Sequence, residues 1–397
     1  MSAVDNKTIN SIFEKLDEDF EEVKSWRRYM HQYPELSFQE EKTANYIEEK
    51  LKSFGLDVQR NIGGHGLISV VEGKQPGKKI ALRADFDALP IEDEKETPYK
   101  STKPGVMHAC GHDGHTAALL GVAKVVSQYK DNLKGSIVFV FQPAEETPPG
   151  GAKYMIEDGI LEDVDYVFGA HLASDIPIGK VGVGEGYQMA AVDKFAIHLK
   201  GNGGHGARPH QTTDSLVIGT SVVEALQKIV SRQIDPLQSA VVTIGVFQAG
   251  NAFNVIPDTA RIEGTVRTFD PAVRDKVEKE IRSIIEGITS AFHATYELDY
   301  LRGYPALFNH KAETDVARDL FKETFEDENV VEFAPTMGAE DFSYFLEAKP
   351  GTYFRVGSKN DDEATHFPHH HPRFDIDERA LVNIEKAFAT IINHYLL

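Results

Sequence analysis

Apolar residues recur at helical spacing between residues 10 and 31, where Ile12, Leu16, Phe20, Val23 and Trp26 fall on one face. Tyr33-Pro34 ends that helix, because proline disfavours helical backbone in the residue before it. A second helical stretch runs from 40 to 54, with Gly55 placed just beyond its end. Short apolar runs then alternate with helical stretches. Residues 67–71, 79–84, 136–142 and 166–170 read as strands, and 116–129 and 151–158 as helices. This alternation predicts an α/β fold, a mostly parallel sheet covered by helices on both faces.

The pattern changes near residue 187. Residues 194–200 alternate strictly between apolar and polar, as a half-exposed strand does. A helix over 214–231, strands over 240–247 and 260–267, a helix over 271–292 and a strand over 294–300 follow. This β-α-β-β-α-β order is the ferredoxin-like arrangement. It predicts a compact insertion, 188–300, between two parts of a larger domain, 1–187 and 301–397. Helices over 311–326 and 378–395 and a strand over 353–356 complete that domain.

Composition narrows the classes. A length of 397 residues fits a chain of more than one domain, at ~150 residues each. With 41% hydrophobic and 26% charged residues, the chain reads as globular rather than disordered or coiled-coil. The net charge of −20 argues against a nucleic-acid partner, which would ask for a basic face. No apolar run is long enough for a membrane-spanning helix. The polar start lacks the charged and apolar regions of a secretory signal, so a cytoplasmic location is expected. Cys110 is the single cysteine, which excludes a disulfide within the chain.

Histidine clustering is the first chemical signal. Seven of the 16 histidines fall in two windows, 108–115 and 366–371. In the first, Cys110 and His112 sit two apart before a helix, where a turn aims both at one ion. A thiolate with an imidazole suits zinc and similar divalent metals. The helix start is also expected to lower the thiol pKa. Glu145-Glu146, just after the strand SIVFVFQ, is the second signal. Adjacent carboxylates at the end of a buried strand repel unless a cation lies between them. One can hold a metal while the other takes a proton from water. Taken alone, each feature has a plainer explanation: an inert buried cysteine, a solvated Glu pair, a surface His turn. Position changes the weighing. Asp85 and Asp87 follow the strand at 79–84, and His171 follows the strand at 166–170. All of these lie at the carboxyl ends of strands, the ligand-binding edge of an open α/β sheet.

Other chemistries fit less well. Neither a G-x-S-x-G elbow nor a Walker A pattern occurs. Gly201 to Gly206 matches G-x-G-x-x-G, but Pro209 intervenes before the helix and no second strand follows at the required distance. Cys110 as a nucleophile remains open as a rival, though it leaves Glu145-Glu146 without a role.

The segments RADFDALPI (83–91), MHACGHDGHTAALLG (107–121), QPAEE (142–146), GAHL (169–172), GGHGARPH (203–210), NVIPDTARIEGTVR (254–267), MGAEDF (337–342) and HPRFDID (371–377) follow in this order. As a set they resemble the aminoacylase and carboxypeptidase metallohydrolase superfamily, in the branch of N-acyl-amino-acid amidohydrolases, hippurate hydrolases and auxin-conjugate hydrolases. The resemblance implies two divalent metal ions per chain, zinc first, with manganese or cobalt as alternatives. The matched ligands are Cys110, His112, Glu146, His171 and His370. His370 is picked from the triplet 369–371 by its distance from Pro372, and an assignment to His369 or His371 stays open. Glu145 matches the general base and acid, and Asp85 an Asp that supports the site. Arg83 stands where many relatives place a metal-binding His.

The inserted domain resembles a lid and dimerisation module. His205 matches a residue delivered across a homodimer to the reacting carbonyl, and Asn254 and Arg267 match substrate-holding positions. The implied activity is hydrolysis of an N-acyl-amino acid to an amino acid and a carboxylic acid. Dipeptidase, carboxypeptidase and N-acetyl-diaminopimelate deacetylase are the alternatives on the same fold.

Overall fold

A computed structural model describes residues 3–397. They divide into two compact units. The first comprises the residues up to Gln188 together with Phe308–Ala334 and Asp341–Leu397; the second comprises Met189–Leu307 and Pro335–Glu340.

The first unit is built on an eight-stranded sheet. At its centre, strands Lys134–Gln142, Gln75–Asp85, Tyr166–Pro177 and Gly351–Lys359 lie side by side and parallel. Successive residues Val138 to Phe141 are all buried, although neighbours along a strand point to opposite faces. Both faces of this strand are therefore covered. The sheet is mixed, with this parallel core and antiparallel pairs elsewhere. Gly66–Glu72 joins antiparallel to Lys134–Gln142, and Val58–Ile62 pairs antiparallel with it in turn. The sequence reading missed Val58–Ile62, because its sequence VQRNI is polar and only half buried, as suits a sheet edge.

The helices carry the remaining core. The N-terminal helix expected over 10–31 is two helices, Ala3–Glu18 and Phe20–Gln32, separated at Asp19. Ile12 and Leu16 pack against Val125 and Ala389, whereas Val23 and Trp26 enter the main core. The helix His112–Ser127 has an almost fully buried surface and packs against Ala380–Leu396. It starts four residues earlier than the apolar spacing indicates, so His112 is its first residue. Gly111 precedes it at φ +95°, a conformation that L side chains rarely adopt. None of the helices among the described residues is long and apolar enough to cross a membrane.

The second unit has a four-stranded antiparallel sheet in the order Ala240–Ala249, Thr259–Thr268, Ala191–Lys200, Thr295–Arg302. Helices Ser215–Lys228 and Pro271–Ala291 join these strands in the β-α-β-β-α-β order. Both helices are capped by an aspartate, Asp214 and Asp270, whose side chains accept backbone N–H bonds of the first turn. Phe195, Ile197 and Leu199 alternate inward along one strand and pack with Val222, Ile281 and Ile285.

Candidate metal centre

Strand register builds the site. In the parallel core Asp85 pairs with Gln142, and Arg83 pairs with Gly169. Two residues beyond Gly169, His171 therefore comes level with Asp85 at one end of the sheet. His171 lies inside the strand Tyr166–Pro177, not past its end, because that strand continues along Gly351–Lys359. Glu145 and Glu146 follow Gln142, and the turn before His112 brings Cys110 over the same end.

The ligand-type atoms converge there. Cys110 Sγ lies 3.5 Å from His171 Nε2. His112 Nε2 lies 3.8 Å from Glu146 Oε1, 3.9 Å from Glu145 Oε2 and 3.8 Å from Asp85 Oδ2. His370 Nε2 lies 3.2 Å from Glu146 Oε1. Cys110, His112 and His171 form one candidate metal-holding group, Cys110, Glu146 and His370 a second, and His112, Glu145 and Glu146 a third. A tetrahedral ion with bonds of ~2.3 Å to sulfur and ~2.0 Å to nitrogen places such ligands ~3.5 Å apart.

Two of the three imidazoles, His112 and His171, are fixed from behind. His112 Nδ1 meets Asp87 Oδ1 at 3.1 Å, and His171 Nδ1 donates to the Leu172 carbonyl at 2.5 Å. Both Nε2 atoms are thus left to face the cluster, the arrangement that orients histidine for a metal. His112 Nε2 is buried without a hydrogen bond, and Glu146 Oε1 has no well-aligned one despite the nearby His370. Buried polar atoms of a native fold seldom lack partners, so these two mark where a cation fits.

Charge balance supports the same fit. Burial pushes the Cys110 thiol well above its ordinary value, and Glu146, Glu145 and Asp85 push it further. Burial first, and then these three carboxylates, act against the lowering expected from the helix start. Burial would lower His112, yet Asp85, Asp87 and Glu146 raise it to about 10. The rise at His112 records an excess of negative charge that a divalent cation relieves.

His115 and Asp85 support the cluster from beneath. His115 Nδ1 donates to Asp85 Oδ1 at 2.7 Å, and its Nε2 accepts the Leu172 N–H at 2.9 Å. Burial opposes ionisation of Asp85, but Arg83, His112 and His115 hold its carboxyl well below the usual range. Arg83 is buried and pairs with Asp85 at 2.6 Å and Asp341 at 2.8 Å. Within the histidine triplet, His369 packs on the His171 ring with centroids 5.1 Å apart, and His371 stacks on Phe367. His370 is the member that meets Glu146, and it reaches that position with φ +66°.

Three predicted site residues lie in the second unit. His205 is exposed and pairs with Val255 on a two-residue strand. Asn254, also exposed, adjoins it, its carbonyl accepting the Gly206 N–H at 2.8 Å. Arg267 is half buried and forms no ion pair among the described residues; its Nη1 donates to Thr265 Oγ1 at 2.7 Å. The sequence reading missed Ser37, whose hydroxyl donates to Asp87 Oδ2 at 2.7 Å. It also missed Arg27, a buried cation joined to Asp113, Asp375 and Glu378. Neither has a local motif; only folding brings them beside the centre.

Known proteins are similar to this chain in sequence and fold. The model of peptidase family M20/M25/M40 matches residues 81–394. The chain belongs to that family. An N-acyl-L-amino acid amidohydrolase of Geobacillus stearothermophilus is 49% identical to this M20 chain over 74% of it and 80% of the relative. Thermostable carboxypeptidase 1 of Saccharolobus solfataricus is 41% identical over 93% of the chain and 95% of the relative. A solved structure of the Bacillus subtilis protein YxeP, described as a dinuclear metal binding peptidase from the M20 family, superposes with a TM-score of 0.82. It shares 34% identity, over 95% of this chain and 98% of that one.

Proposed function

We propose that this M20 chain hydrolyses N-acyl-amino acids, releasing an amino acid and a carboxylic acid. The observation that carries the reading is the convergence of Cys110, His112, His171, Glu146 and His370 beside Glu145 at one sheet end. Two divalent cations held by these five residues, zinc first among them because of the thiolate, would acidify a water molecule and polarise the scissile carbonyl. Glu145 takes the proton from the attacking water and later delivers it to the leaving amine. Its carboxylate lies 3.9 Å from His112 Nε2, close enough to act at the same centre. Asp85 and Asp87 hold His115 and His112 in fixed tautomers.

We assign the second unit to the lid and dimerisation role. His205 would steady the reacting carbonyl from a second copy of the chain, Asn254 would hold the substrate, and Arg267 would pair with its carboxylate.

A peptidase reading is favoured by the similarity to the carboxypeptidase. The two separate on substrates: hydrolysis of N-acetyl-Met and hippurate supports the amidohydrolase, and hydrolysis of Gly-Leu without N-acetyl-Met supports the peptidase. In the same assay Glu145→Ala should lower kcat by ~100-fold or more while metal content stays unchanged. Loss of metal in that variant would instead make Glu145 a ligand.

A further inference from the structure

We propose that Glu40 is a positioning residue that fixes the turn presenting Glu145 to the reaction. The proposal rests on the assignment of Glu145 as base. The turn needs fixing because Ala144, immediately before Glu145, has φ +55°, which a residue with a side chain adopts only when its surroundings impose it. Ala144 is buried, so its peptide groups must find partners inside the protein. Its carbonyl accepts the Gly151 N–H at 3.0 Å. Its N–H donates to Glu40 Oε1 at 2.8 Å, across a sequence separation of 104 residues.

Glu40 is itself fully buried. Its other oxygen, Oε2, has no hydrogen bond. Burying a carboxyl with one oxygen unbonded is costly, and stability alone gives little reason for it. Burial, and after it the nearby Asp87, raise its pKa to about 8, so a neutral acceptor is the main form at pH 7. The surrounding segment holds Glu40 in place. The Glu35 carbonyl accepts the Ala88 N–H at 2.8 Å, and Glu35 Oε2 accepts the Thr43 N–H at 2.8 Å. Ser37 bonds Asp87, whose Oδ2 also accepts the Glu146 N–H at 3.0 Å. One segment, 35–40, thereby braces the turn on both sides of the Glu145-Glu146 pair.

The test uses the full metal-loaded chain and the variants Glu40→Gln, Glu40→Leu, Glu40→Asp and Glu145→Ala. Metal content, kcat and KM on N-acetyl-Met, and Tm are measured for each. Glutamine keeps an acceptor of the same reach, so Glu40→Gln should retain kcat within ~3-fold. Glu40→Leu and the shorter Glu40→Asp should lose kcat by ~10- to 100-fold, with KM and metal content as in the parent, because a misplacement of about 1 Å costs that much. If Glu40→Leu does not fold, Glu40→Asp decides. A parental kcat per metal-loaded chain in Leu or Asp overturns the proposal, as does a loss in Gln equal to that in Leu. Should Glu145→Ala stay active, the base assignment fails and takes this proposal with it. An inactive Glu145→Ala beside fully active Glu40 variants would sink the positioning role alone.

Discussion

Asp87 shows how much a single side chain does in this centre. One oxygen holds His112 Nδ1, and the other accepts from Ser37 and from the backbone of Glu146. It orients one proposed ligand, His112, and locates another, Glu146. Asp87→Ala should therefore weaken metal binding ~10- to 100-fold in a chelator competition, with the fold intact. An unchanged affinity would show that His112 needs no such partner. The ligand types were legible in the sequence because thiol, imidazole and paired carboxylates are rare neighbours. The state of Cys110 was not legible. The sequence displays the helix start beside it, but not the burial that does most to raise the thiol. Likewise nothing local marks Glu40 or Ser37, since their partners lie 104 and 50 residues away.

At the scale of elements, the helix His112–Ser127 is central, for it begins at a proposed ligand and packs against the C-terminal helix. That contact contains an unusual pair. A Cβ on Gly121 would stand only 1.8 Å from Glu385 Oε1, so the glycine makes room for the acid. Glu385 is fully buried with neither oxygen hydrogen-bonded. Burial raises its pKa well above normal, Asp19 and Asp17 add to this, and Lys386 and Lys124 oppose it. A carboxyl with a raised folded pKa contributes its full stability below the unfolded value and loses it as pH rises toward the folded one. Glu385→Gln should accordingly raise Tm at pH 8 to 9, and the gain should shrink toward pH 4. A gain independent of pH would show that ionisation of Glu385 is not the cause. Element types were readable wherever apolar spacing was strong, as over 214–231 and 271–292. The break at Asp19 and the polar strand Val58–Ile62 were not, because tertiary packing rather than periodicity defines them.

The whole molecule is a two-unit M20 chain whose second unit exposes a set of apolar side chains. Phe253 is fully exposed, and Val255, Val217 and Leu216 are also uncovered. A homodimer through this unit would cover them. Sedimentation should show a dimer for the parent and a monomer for Phe253→Asp combined with Val255→Asp; a monomeric parent would remove any role for His205 across a dimer. The change of apolar period near residue 187 lies beside the Gln188–Met189 boundary between the two units. Metal dependence of the centre is the property on which the proposed activity rests. Its most direct test is metal content per chain on purified protein, with hydrolysis of N-acetyl-Met and hippurate followed before and after chelation. The account predicts about two divalent ions per chain, with activity lost on stripping and regained on adding metal. Full activity in stripped protein, abolished by iodoacetamide, would contradict it and make Cys110 the nucleophile.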